Sequence, residues 1–365
     1  MSTEKSPALK EIFDRARLRH IATETANICP AFDAGRFMTL ATENLDDLGI
    51  MQRMRQTAVS LHDALDLDFP KAIEVLNGLA PRIKHGFASI TLPEYVALYG
   101  QKHFDISMKA LEYYTPFGSA EFAIRHFLAS DFDRTLAVVR GWAESDNEHV
   151  RRLASEGSRP RLPWSFQLKN LVADPSPTAP ILDALKNDPS PYVRKSVANH
   201  LNDITKDHPQ FVIDRVSKWP MDDKYTAWIV RHALRTLIKK GDPHALGLIG
   251  TTGKAMVRIE GFSVSPASIS LGARIKLEAR IVSTSEIAQQ LVVDYAVRYV
   301  KKSGAASRKV FKLKEIVLPP SASQNLSINQ TIRDFTTRTH NAGHHKVELI
   351  VNGETLGESG FDLTL

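Results

Sequence analysis

Carboxylates and arginines occur at helical spacing in two segments of the chain, and a further aspartate follows in a third. Glu121 lies four residues before Arg125, and Arg152 lies four residues before Glu156. Residues four apart share one face of an α-helix, so each pair would point to the same side. Asp203 would share a helix face with two preceding asparagines. If the segments stack side by side, these carboxylates would converge, and grouped carboxylates can accept protons and stabilise positive charge.

A proline-rich stretch follows the second segment and carries Arg159, Arg161 and Trp164. Convergence of the segments would bring this indole and these guanidinium groups to the carboxylates. The same spacing is also that of ordinary i,i+4 salt bridges on a solvated helix face. Trp164 could equally be a core residue beneath a long loop. The spacing alone leaves both interpretations open.

Apolar residues recur at helical spacing in short blocks up to about residue 250, with prolines and glycines between the blocks. This pattern predicts helices over 7–28, 32–45, 46–65, 70–80, 92–99, 105–114 and 119–129. Later blocks echo one another: Val150-Arg151-Arg152 matches Val193-Arg194-Lys195, and Arg125-His126-Phe127-Leu128 matches Arg231-His232-Ala233-Leu234. Such echoes are typical of an irregular HEAT-type repeat, with 158–180 as a loop-like insertion. Stacked repeats would form an extended concave surface.

From Val257 onward the apolar residues alternate at strand spacing. The alternation predicts strands over 257–264, 273–283, 290–300, 308–318, 324–331, 344–351 and 355–364. Asn352-Gly353 lies between the last two and is a strong signal for a two-residue hairpin. This number of short strands indicates an immunoglobulin-like sandwich, here without its disulfide because Cys29 is the only cysteine of the chain.

The two patterns together predict a multidomain fold. An all-α HEAT-like helical repeat solenoid would occupy residues 1–250, and an all-β immunoglobulin-like sandwich would occupy 257–365. The sandwich segment carries 14 Lys or Arg against 10 Asp or Glu. Its basic residues concentrate in one stretch without an acidic residue. They are Arg298, Lys301, Lys302, Arg308, Lys309, Lys312 and Lys314. This stretch would attract a polyanion, or it could be a solvated edge hairpin that lysines protect from aggregation.

Most standard catalytic signatures are missing, since the sequence has no HExxH, CxxC or GxSxG motif. His340, His344 and His345 could bind a metal, but no carboxylate or cysteine completes a ligand set, and a solvated loop explains them as well. The sequence therefore predicts no metal and no cofactor. A charged start, a single cysteine and the lack of a long apolar run favour a cytoplasmic protein that does not contact the membrane.

Several segments of the helical part of the chain resemble the AlkC branch of the AlkC/AlkD alkylpurine DNA glycosylases, which are HEAT-like repeat proteins. The match rests on segments 44–55, 61–62, 68–69, 119–125, 151–157, 159–164 and 191–203. Its most specific part is the string RRLASEGSRPRLPW, from Arg151 to Trp164. Some members of this branch also carry an immunoglobulin-like domain at the C-terminus, which agrees with the strand pattern.

The resemblance implies excision of cationic alkylated bases, notably 3-methyladenine and 3-methylcytosine, by hydrolysis of the N-glycosidic bond. Alkylation at a ring nitrogen makes the base positive, so it leaves without a strong general acid. The enzyme then has to stabilise an oxocarbenium-like sugar and position a water, and a carboxylate can do both. Such a reaction explains why the sequence shows no metal or cofactor signature.

Carried over residue by residue, the resemblance assigns catalysis to Glu156 and Glu121, with Asp203 as a third carboxylate. Trp164 would contact the deoxyribose or the exposed base, where an aromatic face also stabilises a cation. The resemblance also implies that three arginines bind the phosphates beside the lesion: Arg152, Arg159 and Arg194. AlkD-type proteins rely on an aspartate with two tryptophans. The equivalent block here has no obvious second partner for Trp164, which predicts a different way of handling the lesion.

We further expect the enzyme to bend the duplex and to attack the exposed nucleotide without full base flipping. A cationic lesion pairs poorly, which lowers the local cost of distortion. The basic hairpin 298–314 and the loop Arg338–Lys346 would hold the duplex. The hairpin contacts expected with phosphates are Arg298, Lys301, Lys302, Arg308 and Lys309.

The expected partner is double-stranded DNA that contains alkylated bases, bound by a monomer at the bacterial nucleoid. Two other hypotheses stay open at this point. One is a non-catalytic HEAT-repeat scaffold that binds another protein, because such scaffolds are common. The other is a protein that marks lesions without cutting them.

Overall fold

The chain divides into two compact units. The computed structural model describes residues 8–251, 253–335 and 339–365. The first unit contains the chain up to His208 together with 220–229, and the second contains 209–219 together with 230–365. The second unit therefore includes the last helices as well as the strands. The predicted domain boundary near residue 250 follows the change in secondary structure and stays a prediction.

Helices occupy the chain as far as Leu248. They are α1 (Arg15–Ile28), α2 (Ala34–Ala41), α3 (Ile50–Leu65), α4 (Phe69–Leu79), α5 (Gly86–Ser89), α6 (Thr91–Tyr99), α7 (Phe104–Tyr114), α8 (Ile124–Ser130), α9 (Phe132–Trp142), α10 (Glu148–Gly157), α11 (Lys169–Ala173), α12 (Ala179–Ala184), α13 (Pro191–Ile204), α14 (Pro209–Val216), α15 (Lys224–Ala233), α16 (Arg235–Lys240) and α17 (Pro243–Leu248). Short 3₁₀ turns lie at Leu9–Phe13, Leu45–Asp47, Ala80–Arg82 and Ser176–Thr178. No helix among the described residues combines the length and apolar character that spanning a membrane requires.

Side-chain caps explain where many of these helices begin. A side-chain oxygen accepts a hydrogen bond from a backbone N–H of the first turn, which satisfies a donor that the helix itself leaves unpaired. Proline also occupies the first position of α13 and α17, where its missing N–H costs nothing. The capping residues are Asp14, Asp33, Asp68, Asn147, Ser190 and Asp242.

The observed helices differ from the predicted ones in two places near the candidate site. Residues 119–120 have no regular secondary structure, residues 121–123 form a turn, and α8 begins only at Ile124. Ser119 Oγ donates a 2.7 Å hydrogen bond to Glu121 Oε2, a local contact that competes with helix formation. The stretch 158–180, expected to be loop-like, contains α11 and the beginning of α12.

Apolar faces hold neighbouring helices of the first unit together. α10 packs against α9 and α13, and α3 packs against α2 and α6. α10 buries Val150 and Leu153, while α13 buries Val193, Val197 and Leu201. Each fully buried side chain of this size contributes about 1.5–3 kcal/mol. This packing fixes the relative position of the two helices that carry Glu156 and Asp203.

The second unit contains two β-sheets within its described residues. The strands are β1 (Val257–Ser265), β2 (Ser268–Ser270), β3 (Arg274–Ser283), β4 (Gln289–Val300), β5 (Ala306–Leu318), β6 (Ser323–Thr331), β7 (Gly343–Val351) and β8 (Glu354–Thr364). One sheet has the order β1-β3-β6 and the other the order β2-β8-β7-β4-β5. Every predicted strand is present. The additional strand β2 is too short to show an alternation in the sequence.

The two sheets share apolar core clusters. Ile275 and Leu277 of β3 belong to one cluster with Val297, Val347 and Phe361 from the larger sheet. Along β3, buried residues alternate with exposed ones through most of the strand. The period of two therefore determines which side of each strand enters the core.

A tight backbone contact joins the last helices to the strands inside the second unit. Asn352 and Gly353 form the turn between β7 and β8, with φ values of 48° and 85°. A Cβ atom on Gly353 would lie 2.0 Å from the Cα of Gly241, which ends α16. Glu315 of β5 also forms an ion pair with Arg231 of α15. The close approach of Gly241 therefore leaves no room for a side chain at position 353.

We predict that Gly353→Ala destabilises the protein by more than about 2 kcal/mol, because the substitution adds both a clash and an unfavourable φ. Gly304→Ala is the matched control. Gly304 also has a positive φ, 79°, but nothing lies within 4 Å of its added Cβ. It should cost only about 1 kcal/mol. Urea unfolding followed by circular dichroism measures both, and equal losses would contradict the role assigned to the Gly241 contact.

Candidate active site

The turn before α8 brings Glu121 to Arg152 of α10. Glu121 Oε2 accepts hydrogen bonds from Ser119 Oγ and from Arg152 Nη1. Arg152 Nη1 also donates to Ser119 Oγ at 2.9 Å. The side chains of Glu121 and Arg152 are each 14% exposed. Because Glu121 lies outside α8, its ion-pair partner comes from another helix.

Glu156 lies one turn after Arg152 on α10 and contacts two arginines. Its Oε1 lies 2.6 Å from Arg159 Nη1 and 3.6 Å from Arg152 Nη2. Its Oε2 accepts a 2.6 Å hydrogen bond from Ser196 Oγ of α13. Both carboxylate oxygens therefore have partners, and the side chain is held in one orientation.

Asp203, near the end of α13, completes the group of carboxylates. Arg159 Nε donates to its Oδ2 at 2.8 Å, and Arg159 Nη2 lies 2.7 Å from the same oxygen. Lys206 Nζ donates to Oδ1 at 2.9 Å. Arg159 thus links the carboxylate of α13 to that of α10.

These contacts form an unbroken chain, the carboxylate relay, in the order Glu121, Arg152, Glu156, Arg159 and Asp203. Burial alone would lower the pKa of Arg152, but the attraction of Glu121 and Glu156 outweighs burial and raises that pKa. The pKa of Arg159 is raised by the same balance, with Glu156 and Asp203 as the attracting groups. Both guanidinium groups therefore stay charged. The structure brings the three predicted carboxylates together through two shared arginines.

An aromatic ring lies beside the relay. The guanidinium carbon of Arg152 lies 4.7 Å from the centroid of the Tyr192 ring, at the start of α13. Such a contact between a cation and a ring is attractive. Burial raises the pKa of Tyr192, so its hydroxyl stays neutral. Because Tyr192 is 41% exposed, part of this ring faces solvent next to the carboxylates.

Trp164 is exposed, which rules out the interpretation as a core residue. Its exposed fraction is 61%, and its φ of 65° lies in the left-handed region that bulky residues rarely adopt. The ring makes an edge-on contact with Phe87 at a centroid distance of 6.2 Å. Phe166, two residues later, is 42% exposed and packs edge-on against His126. We call residues 158–168, between α10 and α11, the Trp164 loop.

Arg125 does not pair with Glu121, so the i,i+4 salt bridge that the spacing left open is not formed between these two residues. Arg125 is fully buried and donates to the backbone oxygens of Gly157 at 3.1 Å, Arg159 at 2.5 Å and Phe166 at 2.5 Å. Burial lowers its pKa to about 10. The physical reason for the difference is the turn at 121–123, which directs the glutamate toward α10 while the arginine starts from α8.

His200 lies fully buried on α13. Its Nδ1 lies 3.0 Å from the backbone oxygen of Ser155, the residue before Glu156, and donates to it. Burial lowers the pKa of His200 to about 3, and the positive charge of Arg159 acts in the same direction. The imidazole is therefore neutral near physiological pH.

The arginines predicted to hold phosphates already have protein partners. Arg152 and Arg159 contact the carboxylates of the relay. Arg194 Nη1 donates to the backbone oxygens of Asp188 and Pro189 at 2.9 and 2.7 Å. Its guanidinium carbon also lies 4.2 Å from the centroid of the Tyr225 ring. Direct phosphate contacts by these arginines stay a prediction.

In the β-hairpin of β4 and β5, arginines and lysines have different surroundings. Arg298 and Arg308 both pair with the buried Glu348 of β7, so two cations share one carboxylate. Lys301 and Lys302 are exposed at the turn between the two strands. The hairpin therefore keeps a net positive charge.

Lys309 is exposed on β5, and its Nζ lies 5.3 Å from the centroid of the Phe311 ring. Arg338, at the beginning of the second loop predicted to hold the duplex, lies outside the described residues. At the end of that loop, Lys346 pairs with Glu358 at 2.7 Å. The DNA contacts of the hairpin and of this loop stay a prediction.

The three histidines considered as metal ligands have separate partners. His340 Nδ1 lies 3.0 Å from Asp334 Oδ1, and His344 Nδ1 lies 3.0 Å from Asp362 Oδ1. His345 stacks on a phenylalanine ring. In the part of the chain that the structure describes, no group of three or more His, Cys, Asp or Glu side chains is arranged to hold a metal ion.

Sequence reasoning missed Ser119, Ser196 and Tyr192, which contact the relay. Ser196 lies seven residues before Asp203 on the same helix face, so the helical spacing could have identified it. Ser119 contacts its partners through a turn, and Tyr192 through the packing of α13 on α10. Neither contact has a periodic signal in the sequence.

The chain is similar to DNA repair proteins in sequence and in structure. Residues 111–237 match the family model of a DNA alkylation repair enzyme, and residues 258–365 match that of the C-terminal Ig-like domain of the uncharacterised protein YhaZ. The uncharacterized protein YhaZ of Bacillus subtilis (strain 168) is 39% identical over 356 residues, which are 97% of this chain and 99% of that protein.

A solved structure covers almost the whole chain. It is that of Pseudomonas fluorescens alkylpurine DNA glycosylase AlkC bound to DNA containing an abasic site analog. The two chains are 55% identical, and their structures superpose with a TM-score of 0.96 over 98% of this chain and 100% of the other. The predicted fold class, a helical region followed by an Ig-like domain, is confirmed.

We predict that His200 makes the protein sensitive to acid. Its pKa is lower in the folded protein than in the unfolded chain, so the unfolded chain binds the proton first and stability falls as pH drops below about 6.5. Below that pH, protonation of this single group should lower the free energy of unfolding by up to about 1.4 kcal/mol for each pH unit. His200→Gln should lose that part of the slope, and His244→Gln, with a side chain 70% exposed, should keep it. Urea unfolding between pH 7 and pH 4.5, roughly the range over which this group should act, measures the slopes; identical slopes would contradict the assignment.

Proposed function

The chain belongs to the AlkC-type alkylpurine DNA glycosylases, and from the geometry of its carboxylates we propose that it releases cationic alkylated bases from duplex DNA. The substrates in this proposal are 3-methyladenine and 3-methylcytosine. The observation that carries it is the relay, which gathers three carboxylates from a turn and two helices. Membership of an enzyme family argues against the non-catalytic scaffold and against a protein that only marks lesions.

The chemistry requires negative charge beside the sugar. The bond between C1′ and the base nitrogen breaks, and its electron pair neutralises the cationic base, which leaves. The sugar becomes an oxocarbenium-like cation, and preorganised carboxylates stabilise such charge without rearranging during the reaction. A water oxygen then bonds to C1′, and its proton passes to a carboxylate, which leaves an abasic site and a free neutral base.

The hydrogen bonds divide this work between the carboxylates. Among the described residues, Glu121 Oε1 accepts no hydrogen bond, since both hydrogen bonds of the Glu121 carboxylate go to Oε2. Glu121 is therefore the residue proposed to orient the water and accept its proton. Glu156 and Asp203 have partners on both oxygens and contribute fixed negative charge.

Arg152 and Arg159 act in this proposal mainly by orienting carboxylates. Each bridges two acidic groups, which holds these carboxylates close together despite their mutual repulsion. The phosphate contacts expected from the sequence for these two arginines stay a prediction. Trp164, exposed on its loop, remains the group proposed to contact the deoxyribose or the base.

DNA binding in this proposal involves both units and leaves the base unflipped. The duplex bends at the weakly paired lesion, where distortion costs least. The exposed lysines of the β4–β5 hairpin, Lys301, Lys302 and Lys309, contact phosphates. The protein acts as a monomer on chromosomal DNA in the bacterial cytoplasm.

Replacing the carboxylates by amides tests the catalytic roles. We expect Glu121→Gln and Glu156→Gln each to lower base release about 10²–10³-fold under single-turnover conditions, as the loss of one stabilising group typically does. Lesion-DNA binding should change little, since the amides keep the shape of the side chains. The measurement is release of 3-methyladenine and 3-methylcytosine from methylated duplex DNA.

Asp188→Asn is the matched control for these variants. Asp188 is a buried carboxylate that binds Arg151 of α10 at 2.6 Å but does not contact the relay. The Asp188→Asn variant should be less stable than the wild type, but its folded molecules should release bases at the wild-type rate. If Glu121→Gln and Glu156→Gln release bases as fast as this control, neither carboxylate takes part in catalysis.

A salt titration tests the hairpin. Replacing Lys301, Lys302 and Lys309 by glutamine should weaken DNA binding. A plot of the logarithm of the association constant against the logarithm of the salt concentration should also become less steep by about 2–3, because each lost phosphate contact removes about 0.9 from the slope. A control with three exposed lysines elsewhere should keep the wild-type slope. The control positions are Lys240, Lys254 and Lys276. Equal slopes for the two triple variants would argue against phosphate contacts by the hairpin.

A further inference from the structure

Arg125 is a fully buried cation without an ion pair among the described residues. Burying a guanidinium group away from a carboxylate is costly, so a fold retains one only where its hydrogen bonds matter. The carboxylates of the relay attract it from a distance. Among the described residues its hydrogen-bond partners are backbone oxygens alone, so this arginine acts on the position of that backbone.

The three oxygens lie at the two ends of the Trp164 loop. Gly157 ends α10 and Arg159 lies near the start of the loop, whereas Phe166 lies near the other end. Leu168 also donates its N–H to the backbone oxygen of Pro160 at 3.1 Å, which closes the loop at its base. Arg125 therefore ties the entry and the exit of this loop to α8.

The loop has further contacts, some buried and some exposed. Leu162 and Leu168 are buried, and the buried Arg159 pairs with Glu156 and Asp203. Arg161 pairs with Asp207 at 2.9 Å, but both side chains are about a quarter exposed, at 25% and 30%. Exposed ion pairs of this kind contribute little. Phe166 packs edge-on against His126 and lies 5.5 Å from the Arg125 guanidinium carbon. Arg125 is thus the buried side chain that hydrogen-bonds the backbone at both ends of the loop, with the Phe166 ring as a weaker second support.

The backbone of the loop determines where the Trp164 indole lies. With 61% of the residue exposed, the side chain receives little support from packing beyond the edge of Phe87. The left-handed φ of Trp164 is a conformation that the surrounding backbone has to impose. Loosening the loop would therefore move the indole, and it would also move Arg159, whose side chain holds Glu156 and Asp203.

We propose that Arg125 is a positioning residue that holds the Trp164 loop in place and thereby fixes the position of the Trp164 indole. The inference rests on the proposed function in one respect, namely that Trp164 contacts the damaged nucleotide. Arginine suits the task because its planar fork of donors reaches several carbonyls at once, whereas the single ammonium group of lysine cannot span the same set.

Arg125→Lys keeps the charge and removes the fork. We expect base release under single-turnover conditions to fall about 10–100-fold, as displacement of a supporting group typically causes. The Kd for lesion DNA should change less than about three-fold, since the loss falls on the chemical step. Acrylamide should quench Trp164 fluorescence more strongly than in the wild type. Repeating the comparison in a Trp164→Phe background assigns the change to that indole.

A double-mutant cycle separates positioning from a general loss of stability. The losses from Arg125→Lys and Trp164→Ala should be strongly non-additive, because the first acts through the second. Tyr113→Ala, which truncates another exposed aromatic residue of the first unit, should combine additively with Arg125→Lys. Additive losses with Trp164→Ala, or unchanged quenching of Trp164 in folded Arg125→Lys, would overturn the proposal.

Phe166→Ala decides the question if Arg125→Lys does not fold. Its exposed ring can be removed without unfolding the protein, and the loss should raise quenching of Trp164 and lower base release by a smaller factor. Unchanged quenching and release in Phe166→Ala would then overturn the proposal. The proposed function fails by a different result, namely full base release in both Trp164→Ala and Glu156→Gln. Trp164 quenching in Arg125→Lys would still show whether the arginine holds the loop.

Discussion

Sharing of two arginines among three carboxylates is the interaction on which the site depends. Arg152 contacts Glu121 and Glu156, and Arg159 contacts Glu156 and Asp203. These side chains are largely buried, where an unpaired charge is far more costly than a paired one. Each group is therefore needed by its neighbours. The turn before α8, helix α10, the Trp164 loop and helix α13 are joined into a single electrostatic unit.

Such an arrangement suits the departure of a cationic base. A base that already carries a positive charge needs no strong acid, and what limits its departure is the charge that appears on the sugar. Carboxylates held by arginines and serines are oriented before the substrate arrives, so little reorganisation accompanies the reaction. Glu121 differs from the other two carboxylates because its Oε1 accepts no hydrogen bond from the described residues. That difference separates the proposed proton acceptor from the fixed charges.

In the second unit, the arginines and the lysines of the β4–β5 hairpin have different surroundings because of the register of the strands. Arg298 and Arg308 lie on neighbouring strands, opposite one another in the register, and both reach Glu348 on the next strand. Cross-strand pairing thus uses the arginines to neutralise a buried carboxylate. The lysines at the turn have no such neighbour in the register, which leaves their charge available to a polyanion.

Local patterns in the sequence were enough to predict the order of the secondary-structure elements and the family. Helical and strand periodicity, proline positions and the Asn352-Gly353 turn predicted the order of helices and strands, because each depends on residues close together in the chain. The string from Arg151 to Trp164 indicated the family, and Glu121, Glu156 and Asp203 were recognised as a group. Only the tertiary structure decided the partners. Glu121 binds Arg152 because a turn directs it away from α8, Arg125 binds backbone oxygens, and the last helices group with the strands. Spacing describes one element at a time, whereas these contacts join atoms of different elements whose distances are set by packing.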